Sequence, residues 1–223
     1  MRKLNMILLI LCLIFSPAVF AKKLHQRTKI KHVVTKTHHT PPREITTDQI
    51  VGFDDYPSNI KQLINNALSL SSQHLAYKFG SMDPENNGMD CSGTIGYLLK
   101  QARINDVPRQ ADQIYQWAWE NGEFFAVNGH KLNSFEFSEL KPGDLLFWTG
   151  TYPVKRDPAI SHVMMYLGRD KENRPLMFGA STGRTFRGKS QDGVGVYTFN
   201  LPTGASKSRF LGYACIPGLT CGA

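Results

Sequence analysis

The sequence predicts an α+β domain in which helices come first and pack on an antiparallel sheet of about five strands. Three observations lead there. Apolar residues recur at helical spacing from residue 58 to about 121, the period becomes that of strands after about residue 143, and the two kinds of segment do not alternate. A chain of 223 residues is long enough for one well-buried domain with an extension.

The extension comes first. Residues 1–21 carry Arg2 and Lys3 ahead of an apolar run from Met6 to Phe15 and end in Val19-Phe20-Ala21, the pattern of a secretory signal cut after Ala21. The run is too short to span a bilayer comfortably. Residues 22–56 are expected to be a disordered tether. Its stretch from Lys22 to Arg43 holds seven Lys/Arg, no Asp or Glu, and Pro41-Pro42 at its end. Such a leash suits contact with an anionic wall or membrane surface, and equally a solvated spacer.

The domain is expected over residues 57–223. Ile60, Leu63, Ile64, Ala67 and Leu68 lie on one face of a helix over about 58–75. Gly80 to Gly88 is dense in turn formers. A second helix starts near Cys91, with Asp90 placed to cap its first turn and Ile95, Leu98, Leu99 and Ala102 on one face. A third, shorter helix covers 111–121. Strands follow at Asp144 to Trp148, Ser161 to Gly168, Pro175 to Ala180, Val194 to Phe199 and Arg209 to Ile216. In the second of these, His162, Met164 and Tyr166 share a face.

The formal charge of +8 suggests a nucleic-acid binder until it is partitioned. Residues 1–21 contribute +2 and residues 22–43 contribute +7, leaving 17 basic and 18 acidic residues in 44–223. The domain is close to neutral, so nucleic acid is not expected as a partner.

Four cysteines remain to be placed. Cys12 lies in the signal, and Cys215 and Cys221 flank a turn-forming stretch in which a local disulfide is possible. Cys91 is left alone, so in an oxidising compartment it is either a buried small hydrophobe or a reactive thiol. Its position at a helix N-terminus favours a thiolate and offers backbone N–H groups to a developing oxyanion. His162, at the head of a later strand, is the candidate base. Cys91, His74, His130 and His162 are too few and too scattered for a zinc site, and no metal or organic cofactor is implied.

Four blocks in order, Tyr77-Lys78-Phe79-Gly80, Gly88-Met89-Asp90-Cys91-Ser92-Gly93, Leu140 to Trp148, and Ser161 to Gly168, resemble the successive motifs of the NlpC-type cysteine peptidases. Val107-Pro108-Arg109 fits the same pattern. The resemblance implies a papain-like fold and an enzyme that cuts peptidoglycan stem peptides, at the bond joining D-glutamate to the following diamino acid. It implies Cys91 as nucleophile, His162 as general base and acid, Tyr77 as a hydroxyl near the oxyanion, and Asp90 and Ser92 beside the substrate. One departure stands out: Gly179 falls where the family usually has a His that orients the imidazole. Ser181 and Asn173 are the remaining candidates for that role. The expected protein is therefore a monomeric, exported endopeptidase of the periplasm or cell envelope, with a binding-only relative and a transacylase as the alternatives.

Overall fold

The protein is described by a computed structural model over residues 44–221. The expected signal (1–21) and the basic stretch of the expected tether lie outside the described residues. Among the described residues three helices, α1 (Ser58–Ser71), α2 (Cys91–Gln101) and α3 (Ala111–Asn121), accompany eight strands. The strands are β1 (Ala76–Tyr77), β2 (Gly88–Met89), β3 (Phe124–Ala126), β4 (Leu145–Thr149), β5 (Ile160–Arg169), β6 (Pro175–Phe186), β7 (Lys189–Thr198) and β8 (Arg209–Ala214). β1 and β2 form a small parallel pair, and the other six make one sheet in the order β3-β8-β4-β5-β6-β7. Every pairing in that sheet is antiparallel. The α+β class is as expected, with six strands where five were expected.

Strand periodicity sorts the core into two layers. Leu145, Phe147, Val163, Met165, Phe178 and Val196 point towards the helices, where they join Leu63, Ile64, Ile95 and Leu98. Their neighbours Leu146, Trp148, Met164, Tyr166, Met177 and Tyr197 face the other way, under Phe137, Leu140 and Phe210. Each large side chain so buried contributes roughly 1.5–3 kcal/mol. With both faces covered, the central strand β5 is buried from Ile160 to Gly168.

The structure corrects several boundaries. Residues 44–56, expected to belong to the tether, are packed: Ile45, Ile50 and Phe53 are buried, and the Val51 N–H donates to the Arg169 carbonyl at 2.8 Å. Ile45 and Ile50 flank one single 3₁₀ turn and Phe53 opens another, so they have no period to recognise. α1 stops at Ser71 rather than 75, because His74 takes a positive φ of 53° and reverses the chain. β6 and β7 extend past the expected Ala180 and Val194 into a long hairpin. Cys215 and Cys221 are joined, with S–S at 2.05 Å, and the Glu123 N–H donates to Cys215 Sγ, which ties the tail to the α3–β3 junction.

Candidate active site

The turn from Gly80 to Gly88 folds back so that the chain enters α2 from the β1–β2 pair. The Asp90 N–H donates to the Ser81 carbonyl at 2.9 Å, which lays the turn against the helix start. Only a glycine fits at position 93, since a β-carbon there would stand 2.2 Å from the Ser81 carbonyl oxygen. Asp90 caps the helix as expected, accepting from the Gly93 N–H at 2.7 Å. Its other bonds were not foreseen. Oδ2 accepts from the Gly80 N–H, and Arg109 forks onto both carboxylate oxygens at 3.1 and 2.7 Å while also donating to Ser92 Oγ at 2.9 Å. Asp90 is thus fully occupied in holding the helix start, although it still borders the cleft.

Cys91 is the first residue of α2 and is 4% exposed. Burial pushes its thiol up to about 11, and the Asp90 carboxylate adds to this. The amides of Val163, Ser92 and Cys91 itself favour the thiolate but do not win. The expectation that the helix N-terminus would leave a ready thiolate is therefore corrected, because desolvation outweighs the amides. The Val163 amide nonetheless brings the head of β5 to the sulfur, so Cys91 and His162 come from elements that meet.

His162 pairs across the sheet with Trp148, with ring centroids 5.7 Å apart. It is buried, and its Nε2 has no hydrogen-bond partner. Burial, and then the nearby Arg184 guanidinium, hold the imidazole well below its ordinary range. Burial thus disfavours the charged form of both groups, and among the described residues no hydrogen bond joins them. They line adjoining clefts: Cys91, Asp90, Ser92 and Arg109 border a smaller one of about 410 Å³, and His162 and Ser181 a larger one of about 760 Å³. Tyr77, Phe79 and Tyr152 line both. Tyr77 has its phenol pushed up by burial and then by Cys91 and Asp90, which keeps it a proton-bearing donor at the junction. Phe79 meets Tyr152 edge to face at 6.0 Å, and Arg156 steadies Tyr152 by donating to its hydroxyl at 3.3 Å.

Of the two candidates for orienting His162, Ser181 shares its cleft but makes no hydrogen bond to it. Asn173 is not brought to the site. It occupies the β5–β6 turn with a φ of 60°, at the far end of β5 from His162, where its carbonyl accepts from Arg169.

A sequence profile of the NlpC/P60 family matches residues 74–198. The chain belongs to the NlpC/P60 family. The match runs from the residues just before β1 to the end of β7 and so takes in Tyr77, Cys91, Arg109 and His162. A Gamma-DL-glutamyl hydrolase of Bacillus subtilis (strain 168) is 36% identical over 92 residues, which is 41% of this chain and 18% of that relative, so this NlpC/P60 chain spans less than a fifth of its length. A crystal structure from Staphylococcus aureus subsp. aureus Mu50, described as similar to lipoprotein, NLP/P60 family, is 20% identical with a TM-score of 0.48, covering 79% of this chain and 44% of that one.

Arg109, Tyr152 and Arg184 are site residues that sequence reasoning did not assign. Val107-Pro108-Arg109 was a visible signal for the first. The other two lie in segments without a motif.

Proposed function

We propose that this protein is an exported cysteine endopeptidase of papain-like design that hydrolyses peptidoglycan stem peptides at the bond following γ-linked D-glutamate. The observation that carries the reading is a buried cysteine at the first turn of α2, with an amide from the head of β5 on its sulfur and a histidine next to that amide. Family membership and the γ-glutamyl hydrolase named among the relatives support the bond type.

His162 takes the thiol proton as sulfur attacks the amide carbonyl, so charge appears only during the reaction. Helix-start amides and the Tyr77 hydroxyl receive the oxyanion. His162 then protonates the departing amine, and water releases the acyl group from sulfur. Hydrogen bonds of this kind are often long in a free enzyme and close when substrate fills the cleft.

A second reading, a binding-only relative, is favoured by the unpartnered Nε2 and the elevated thiol. Mass spectrometry of purified muropeptides, with wild type beside Cys91→Ala, separates the readings. Linear fragments present only with wild type support hydrolysis. Saturable binding without fragments assigns the binding module, and new cross-linked masses assign acyl transfer.

A further inference from the structure

The charges of the two clefts differ in kind. In the smaller one Arg109 is paired with Asp90, and Arg156 with Asp112. In the larger one the charged side chains are Arg184 and Lys207, and no Asp or Glu lines it. Arg184 reaches this cleft from β6. Its guanidinium carbon lies 4.5 Å from the centroid of the buried Trp148 ring. Burial lowers its pKa to about 10, against the opposing pull of Tyr197 and Cys91.

The chemistry says which half of the substrate enters this cleft. On the mechanism proposed above, the proton that His162 removes from the thiol goes to the departing nitrogen. That nitrogen must therefore lie against His162, and the amine half of the substrate occupies the larger cleft. We infer that this cleft selects an amine component carrying a free carboxylate, which the stacked Arg184 guanidinium receives through two N–H groups, with Lys207 as a second cation in the same cleft. A guanidinium fixed on an aromatic face presents a planar fork that matches a carboxylate and not a carboxamide. Seating an anion on Arg184 also relieves the repulsion between the guanidinium and a protonated His162, at the stage when that imidazole must carry its proton.

The inference rests on the peptidase reading, and its test separates the two. L-alanyl-γ-D-glutamyl-L-lysine and its C-terminal carboxamide differ only in the group Arg184 would hold. Wild type is expected to favour the acid at least tenfold in kcat/KM. Arg184→Gln should bring the ratio within twofold, Arg184→Lys should keep part of it, and Lys207→Gln should lower it less. Equal rates on both peptides, or a preference that survives Arg184→Gln, would overturn the inference. Calorimetric binding of the same two peptides to Cys91→Ala provides an arm that needs no turnover. If wild type cleaves neither peptide, the peptidase reading fails. Tighter binding of the acid, lost with Arg184→Gln added, then still supports carboxylate selection, whereas equal or absent binding ends it.

Discussion

Met164 occupies the space over Gly179. A β-carbon built on Gly179 would stand 3.2 Å from Met164 Cε and 3.3 Å from its Cγ. Gly179 follows the Met165↔Phe178 pair, so alternation sets it on the face that carries Met164 and His162, which is where an orienting group for the imidazole would sit. A flexible thioether has filled the volume that a third polar residue would need.

Gly179→His alone should crowd Met164 and cost about 1–3 kcal/mol of stability, read as a lower Tm. Combined with Met164→Ala it should regain most of that loss. The double variant should also raise kcat on stem peptides severalfold over wild type, because an imidazole can then fix the His162 tautomer. A restored Tm without a gain in kcat would show that His162 needs no such partner.

Cys91 should resist alkylation. With the thiol near 11, the iodoacetamide rate should still be rising above pH 10 instead of levelling near 9. The unfolded thiol ionises near 9, so folding is favoured by the protonated form and that stability fades as pH climbs from about 9 through about 11. Its full extent is about 3 kcal/mol. Chemical denaturation at pH 8 and pH 11 checks this, and Cys91→Ala should shrink the difference, leaving the part owed to buried phenols such as Tyr77 and Tyr56.

His162 acts at the other end of the pH scale. The folded imidazole binds its proton only well below 6.5, whereas the unfolded one binds it near 6.5. Stability is therefore whole above 6.5 and declines as pH falls below it. Melts between pH 7.5 and 5 should show that decline in wild type and a flatter profile in His162→Gln.

Arg109 should matter for folding before it matters for substrate. Arg109→Gln strips the fork from Asp90, which is 5% exposed, and should cost on the order of 2 kcal/mol, with Arg109→Lys intermediate. Denaturant midpoints for the two variants, compared with their KM values, measure the two effects separately.

The parts legible in the sequence were those with a period or a motif. α3 lies at Ala111–Asn121, as its spacing predicted, and α2 begins at Cys91 under an Asp90 cap. β3, with three residues, is too short to show alternation, and β1 and β2 are shorter still. The outer arms of β6 and β7 read as loops because Ser181-Thr182-Gly183-Arg184 and Lys189 to Gly193 are polar and glycine-containing. Their strand geometry comes from pairing with each other, as in Arg184↔Gln191. Arg184 lay in that unread arm, so the cationic character of the larger cleft could not be inferred from the chain alone. The thiol's pKa was misjudged for a related reason. A helix start is visible in sequence, but the burial that overrides it is a property of the whole fold.

The sulfur enters the structure on the first turn of α2, among the helices, while the imidazole and the Val163 amide arrive with β5, in the middle of the sheet. Neither part of the chain holds a centre by itself. On the peptidase reading, a chain that has formed its helices but not yet closed its sheet carries an isolated thiol and no reaction site, and competence waits for β5 to dock against α2. On that reading, closure of the sheet sets the moment at which the thiol first meets its base.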